Sequence, residues 1–353
     1  MKNEKFKNMN FMDISNAEKK QLKERITNSI YTFIMRRRRI KFGVGIAVAS
    51  IAVIISIGIF NDSMFKTPTL EDFTSTLESD DIESLKNVKL LLGDNQNIEI
   101  TDDNTIITYS NSGEKVTIGN SKSVYQESSK NKKIVYNTLI VPYGKRSEIK
   151  LADGSKVWLN SGSKLVFPAS FIGDKREVYL EGEGVFEVAH NKKQPFVVRA
   201  ANHEIEVLGT VFNVSSYPED SLIEVALKDG IVQINPIHKA KLKSNKNIII
   251  KPGELAICNK ETGGIQTKKV DIEKYFSWRE GIFIFKNDDL FTIMKKISKY
   301  YNVSIIIKNK DLANQEFSGL LDIKDSVESV LNTIKETTEF EYQIKEENKI
   351  IIN

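Results

Sequence analysis

Three histidines, one cysteine and one pair of closely spaced acids are the side chains whose types could do chemistry. His190, His203 and His238 lie in strand-rich sequence with no ligand-like spacing, so they are read as solvated or hydrogen-bonded rather than as metal ligands. Glu181-Gly182-Glu183-Gly184 puts two carboxylates two residues apart, on one face of a strand. A glycosidase pair could be built that way, but nothing supplies the aromatic-lined sugar platform expected beside it apart from Trp158. No helix follows the glycines, which excludes a phosphate loop. Cys258 is the only cysteine, so no disulfide can form within the chain, and an oxidising compartment is tolerated but not exploited. It is expected to be buried in the apolar strand Leu255–Cys258. No catalytic residue, metal or cofactor is assigned, and the chain is not expected to be an enzyme.

The elements that carry these residues alternate with period two from Val88 onward. LLLGDNQNIEI (90–100) and IKLADGSKVWL (149–159) read as β-hairpins around Asp94-Asn95 and Asp153-Gly154, residues that tolerate positive φ. The same turn recurs in LKDGIVQI (227–234), and REVYLEG (176–182) and EIEVLGTVFNV (204–214) alternate too. Short strands punctuated by Gly and Asp, with no long helical pattern, predict an all-β domain over 88–275, built as a solenoid-like sheet or a sandwich. Ser121–Lys133 is expected to be a solvated loop.

From Trp278 the pattern changes. GIFIF (281–285) reads as a strand, and Asp288 or Asp289 caps a helix with Leu290, Ile293, Met294, Ile297 and Tyr301 on one face. Strands at 303–308 and 316–321 follow, then a helix from about Asp325 to Thr337, then FEYQIK and KIIIN paired across Glu346-Glu347-Asn348. The order β-α-β-β-α-β-β predicts a two-layer α/β domain over 276–353, with two helices covering one sheet. The fold class is thus mainly β plus α+β, with one transmembrane helix.

That helix is Phe42–Phe60, nineteen residues without a charge. At about 1.5 Å per residue it reaches about 28 Å, close to a bilayer's hydrocarbon thickness. Arg36, Arg37, Arg38, Arg39 and Lys41 precede it, whereas Asn61, Asp62 and Ser63 follow. This bias places the N-terminus inside and the C-terminus outside, in the inner (plasma) membrane, with the basic run against anionic lipid headgroups. Residues 1–41 carry twelve Lys/Arg against four Asp/Glu, leaving 39 basic and 43 acidic residues beyond the span. The overall charge of +4 therefore does not imply nucleic acid as a direct partner. Residues 61–87 are polar, acidic and Ser/Thr-rich and read as a stalk with one helical turn and no packed apolar face.

In the tail, Ser15-Asn16-Ala17-Glu18 forms a capping box. Leu22, Ile26, Ile30 and Phe33 then recur at helical spacing, predicting one amphipathic helix over 16–41. Its apolar stripe can rest on the membrane or dock into a protein groove.

Residues 141–217 contain VPYGKRSEIKLADGSKVWLNSGSKLVFPASF, REVYLEGEGVFEVAH, PFVVRA and VLGTVFNVSSY in this order. This run resembles the core of the FecR-type anti-sigma factors of Gram-negative bacteria. The resemblance rests on Asp153, Gly154, Ser155, Trp158, Asn160, Arg176, Gly182, Glu183, Phe186, Pro195, Phe196, Gly209, Thr210, Phe212 and Asn213. The segment with Trp278, Gly281, Phe285, Leu290, Tyr300, Tyr301 and Val303 is similar to the domain that follows that core, itself like the short secretin/TonB N-terminal fold. A structural reading of the same residues puts Asp153, Gly154 and Gly209 in turns and Trp158, Phe186, Phe196 and Phe212 in the core, and pairs Arg176 with Glu183.

The resemblance implies an anti-sigma factor, a transmembrane signal transducer for nutrient uptake. Its partners would be an extracytoplasmic-function sigma factor, gripped by Leu22, Ile26, Ile30 and Phe33, and the signalling domain of a TonB-dependent outer-membrane transporter. Regulated proteolysis would carry the message. Many similar proteins have a cytosolic domain of several helices, whereas this tail has forty-one residues and no Trp. The competing reading is a membrane-tethered periplasmic glycan- or peptide-binding module with no sigma partner.

Overall fold

The computed structural model describes residues 17–38, 56, 70–76, 82, 84–93, 96–102, 105–120, 122–127, 129, 134–237, 247–345 and 348–353. They fall into two units, Met1–Lys66 and Thr67–Asn353. In the first, residues 17–38 form one helix, α1, exposed on every face. The apolar run 42–60 lies outside the described residues except for Ser56, as do Arg39 and Lys41. Among the described residues no helix is long and apolar enough to cross a membrane.

The second unit opens with a short helix, α2 (Leu70–Thr76). Strands β1 (Val88–Leu91) and β2 (Asn97–Ile100) then pair in one sheet, and β3 (Ile106–Tyr109), β4 (Lys115–Ile118) and β5 (Lys122–Tyr125) pair in another. The stretch 121–133, expected to be a loop, thus contains an edge strand. The chain keeps exchanging sheets. The first sheet gains β6 (Tyr136–Val141) and β9 (Ser163–Pro168), and the second gains β7 (Ser147–Lys150) and β8 (Lys156–Leu159).

The twelve-residue β10 (Arg176–Glu187) belongs to both sheets. Its first half pairs with β9 and with β11 (Phe196–Ala200) in the first sheet. From Gly182 it pairs with β8 and with β13 (Val211–Ser216) in the second. After β11, the first sheet continues through β12 (His203–Val207), β15 (Val232–Pro236) and β16 (Ile248–Ile250). The second continues from β13 through β14 (Leu222–Asp229), β17 (Glu254–Asn259) and β18 (Ile265–Lys269). The DG turn at 229–230 therefore joins strands of different sheets, whereas the turn at 153–154 closes a true hairpin. The hairpin turn Asp94-Asn95 lies outside the described residues.

Alternation does the rest. Leu90, Ile107, Ile149, Val157, Leu165, Val178, Phe186, Phe196 and Phe212 point inward from the two sheets and form one core. Each such side chain contributes about 1.5–3 kcal/mol through burial.

The outer face of the second sheet is also apolar, through Val185, Ala226 and Leu255. Two 3-10 turns, Ile272–Tyr275 and Ser277–Glu280, and the segment after them cover it. There β19 (Ile282–Asp289) leads into α3 (Leu290–Tyr301), capped by the Asp289 carboxylate on Thr292 N–H. Then come β20 (Ser304–Ile307), a four-residue helix α4 (Lys310–Ala313), β21 (Glu316–Asp322), α5 (Val327–Lys335), β22 (Tyr342–Lys345) and β23 (Lys349–Ile352). The expected order holds, with α4 added, but the strands do not form one sheet. β19 pairs only with β21, while β20, β23 and β22 form a separate three-stranded sheet. Asn287 is left-handed. It sits in the bulge that shifts the β19–β21 register between Phe285 and Asp288 and turns the strand into its helix.

Candidate functional site

The residues that carried the sequence resemblance gather along β10 and its neighbours, and most of them hold structure. The Arg176 guanidinium, 1 % exposed, donates to Asp153 at 2.7 Å and to the carbonyls of Gln194 and Ala189 at 2.8 Å each. The expected pairing with Glu183 is therefore corrected. Strand alternation turns Arg176 inward and Glu183 outward, so the two side chains face opposite sides of β10. The Ser155 hydroxyl donates to Asp153 and accepts from Ala189 N–H, and the Pro195 carbonyl accepts from Arg176 N–H. Phe196 lies 5.4 Å below the guanidinium, and Phe186 stacks on Phe212 at 5.2 Å in the core. Gly209 permits close approach: a Cβ there would sit 2.5 Å from His190 Nδ1. Thr210 Oγ1 donates to the Ile231 carbonyl.

Trp158 departs from its expected place. Val157 and Leu159 take the inward positions of β8, so Trp158 faces the C-terminal segment. There Arg279 lies 4.8 Å over its ring and pairs with Glu187 at 3.1 Å. It is an interface residue, not a core one.

Glu183 faces the same way. Its carboxylate accepts from Asn160 at 2.8 Å and Asn213 at 3.0 Å. Along the sheet it lies beside Ser215, which lies beside Glu224. Burial raises the Glu224 carboxyl above its usual range, opposed by Lys296. These acids line a cleft of about 320 Å³ roofed by Tyr275, Trp278, Phe283, Phe291 and Tyr300. The lysines around it are largely committed: Lys274 to Asp288 at 2.6 Å, Lys299 to Glu219 at 2.5 Å, and Lys295 to Asp220. The buried Trp278 indole N–H has no hydrogen-bond partner among the described residues. A second cleft, of about 550 Å³, shares Trp278 and Tyr300 and is bounded by Arg146, which donates to the Trp278 carbonyl at 2.7 Å. Glu181 belongs to neither cleft. It takes Lys164 at 2.5 Å and the Tyr179 hydroxyl at 2.7 Å on the other sheet. Gly182, where β10 changes sheets, thus separates the two acids of the EGEG stretch. Arg279, Tyr217 and Lys299 were not singled out from sequence, because only the tertiary fold brings them to this face.

His203, expected to be solvated or hydrogen-bonded, is instead buried in β12 with neither ring nitrogen partnered among the described residues, and burial lowers its pKa. His238 lies outside the described residues. Burial pushes the Cys258 thiol up to about 12, so it stays protonated.

On α1, Leu22, Ile26, Ile30 and Phe33 are 51–65 % exposed and form one stripe. Tyr31, Ile34 and Met35, which the periodicity did not single out, widen the apolar surface. Arg36, Arg37 and Arg38 close the helix.

Comparison with known proteins follows this geometry. The family described as FecR protein matches residues 137–233, and the one described as FecR, C-terminal matches 282–352. Among curated proteins, none matches the chain. A candidate anti-sigma factor from Parabacteroides distasonis ATCC 8503, solved at 1.65 Å, is similar at 30 % identity with a TM-score of 0.55. The match covers 61 % of this chain and 98 % of that one. A second crystal structure carrying the same description, at 2.50 Å, gives the same identity and TM-score over 62 % of this chain. With these family matches over 137–233 and 282–352, and a relative at 30 % identity that is covered almost in full, the chain belongs to the FecR family of anti-sigma factors.

Proposed function

We propose that this chain is a single-pass inner-membrane regulator that holds an extracytoplasmic-function sigma factor through α1. The observation that carries this reading is the uncovered stripe Leu22, Ile26, Ile30 and Phe33 on a basic helix. One amphipathic helix cannot bury its own apolar face, and a groove on a sigma factor would supply the missing surface. In this reading residues 1–41 are cytoplasmic, 42–60 span, 61–87 form the periplasmic connection, and 88–275 and 276–353 are the two periplasmic domains. The latter receive the signal from the signalling domain of a TonB-dependent transporter, and the chain performs no catalysis. The test is co-purification of a sigma factor with the membrane-embedded full chain, and its loss on Ile26→Asp with Ile30→Asp. If α1 only lies on lipid, the same variant leaves sigma capture absent in both proteins and releases the helix from anionic vesicles.

A second reading has one observation in its favour. The cleft beside Glu183 and Glu224 combines aromatic side chains with acceptors and an unpartnered indole N–H, which suits a glycan or peptide ligand. Quenching of Trp278 fluorescence by such a ligand, with no sigma factor recovered from cells at any stage, would favour a tethered binding module.

A further inference from the structure

The segment 61–87 reads in sequence as a stalk with nothing to pack, yet α2 within it is docked. Leu70 is 2 % exposed and packs with Phe73 against Tyr136, Val166, Ile134 and Tyr179. The Phe73 ring lies 5.2 Å from that of Tyr136. Glu71 accepts from Arg199 at 2.6 Å, and Arg199 also pairs with Glu204 at 3.0 Å. The seat belongs to the outer face of the first sheet. Val166 sits between the core-facing Leu165 and Phe167, yet it too is fully buried. A seven-residue helix does not persist alone in water, so α2 is helical because it is docked.

We propose that this outer face of the first sheet, around Tyr136, Val166, Tyr179 and Arg199, is an intramolecular docking surface for α2 that controls proteolysis of the membrane-proximal segment. The proposal rests on the regulator reading above. A protease needs its substrate strand extended, so the bonds of a docked helix are cut only after the helix leaves its seat. The cutting rate then follows the population of the undocked state. Among the described residues, two apolar side chains and one ion pair hold α2 without the backbone ladder that ties the strands together, so undocking is the lowest opening of this face. Whatever displaces α2 or reshapes its seat turns the segment into a substrate without unfolding the body. Because Glu71 is largely exposed, its ion pair contributes little, and the apolar contacts decide.

The test is pulsed thermolysin digestion of the full chain in membranes, with cuts inside 68–78 mapped by mass spectrometry. Tyr136→Ser with Tyr179→Ser empties the seat and leaves the Leu70, Phe73 and Leu77 cleavage sites in place; it is expected to speed these cuts about tenfold or more, with 88–353 staying resistant. Glu71→Gln is expected to change them less than about twofold. In a second variant, Phe73→Cys with Tyr136→Cys, a short bis-methanethiosulfonate fastens the helix by forming one disulfide with each thiol and releasing two methanesulfinates, and Cys258 is too buried to compete. Fastening is expected to suppress the same cuts. Equal cutting of wild type and the double serine variant, or equal cutting with and without the cross-link, overturns the proposal. Sigma-factor capture is scored separately on the same membranes, so loss of the docking surface and loss of the regulator reading give different results.

Discussion

Arg176 and Asp153 meet at 2.7 Å across the start of β10, with the guanidinium almost wholly buried. The pair joins the β7–β8 turn to the segment leading into β11, because the same guanidinium holds the Gln194 and Ala189 carbonyls. Arg176→Ala leaves a carboxylate and two carbonyls without their donor and is expected to cost about 3–5 kcal/mol. Arg176→Lys recovers only part of it, since an ammonium cannot reproduce the planar fork. Chemical denaturation of the three proteins checks this; equal midpoints for Ala and wild type would mean the network carries no stability.

Trp158 and Phe186 look alike in sequence and should behave differently. Phe186→Ala empties the two-sheet core and is expected to cost about 3–5 kcal/mol. Trp158→Ala removes a stack with Arg279, worth about 0.5–2 kcal/mol. It should raise hydrogen exchange in α3 and β19 while leaving β10 protected. A Trp158→Ala protein that loses protection in β10 as well would put this residue back in the core.

Two glycines with nearly equal φ separate strain from crowding. Gly154 has φ +87° and nothing within 4 Å of an added Cβ, while Gly182 has φ +92° and Ser163 Oγ at 2.4 Å. Gly154→Ala is expected to cost about 1 kcal/mol. Gly182→Ala must also displace Ser163, whose hydroxyl holds the Glu183 backbone, and should cost at least twice as much. Thermal melts decide, and equal losses would contradict the crowding argument.

His203 sets a pH dependence. Burial lowers its folded pKa below the ordinary 6.5. The unfolded chain therefore takes up a proton that the fold refuses, and stability is full above about 6.5 and falls as pH drops below it, by at most about 1.4 kcal/mol per pH unit. His203→Leu should flatten that part of the profile. An unchanged slope between pH 6.5 and 5 would show that other groups cause it.

Much of the body was legible because its strands alternate. Leu90, Ile149, Val157 and Phe212 announce their inward faces by spacing alone. What periodicity cannot say is which strands share a sheet: β10 changes sheets at Gly182, and no local signal marks the strand as shared. Trp158 misled because the alternation that turns Val157 and Leu159 inward gives it the opposite face. The split of the C-terminal strands into two sheets depends on pairings distant in sequence, such as Ser304 with Lys349. A helical turn in 61–87 was legible but its docking was not, although Leu70 and Phe73 at i, i+3 were a signal, as was the run Leu165-Val166-Phe167, whose middle residue needed a cover.

The central claim is that α1 grips a sigma factor, and one measurement meets it directly. The full chain, tagged and held in membranes, is used to recover bound protein before and after Ile26→Asp with Ile30→Asp. Both side chains are about half exposed, so the change spares the rest of the fold. The account predicts that a sigma factor is recovered with the native chain and that recovery falls at least about tenfold in the variant, the loss of two buried apolar contacts. Recovery of the sigma factor in equal amounts by both proteins, or by neither, would contradict it.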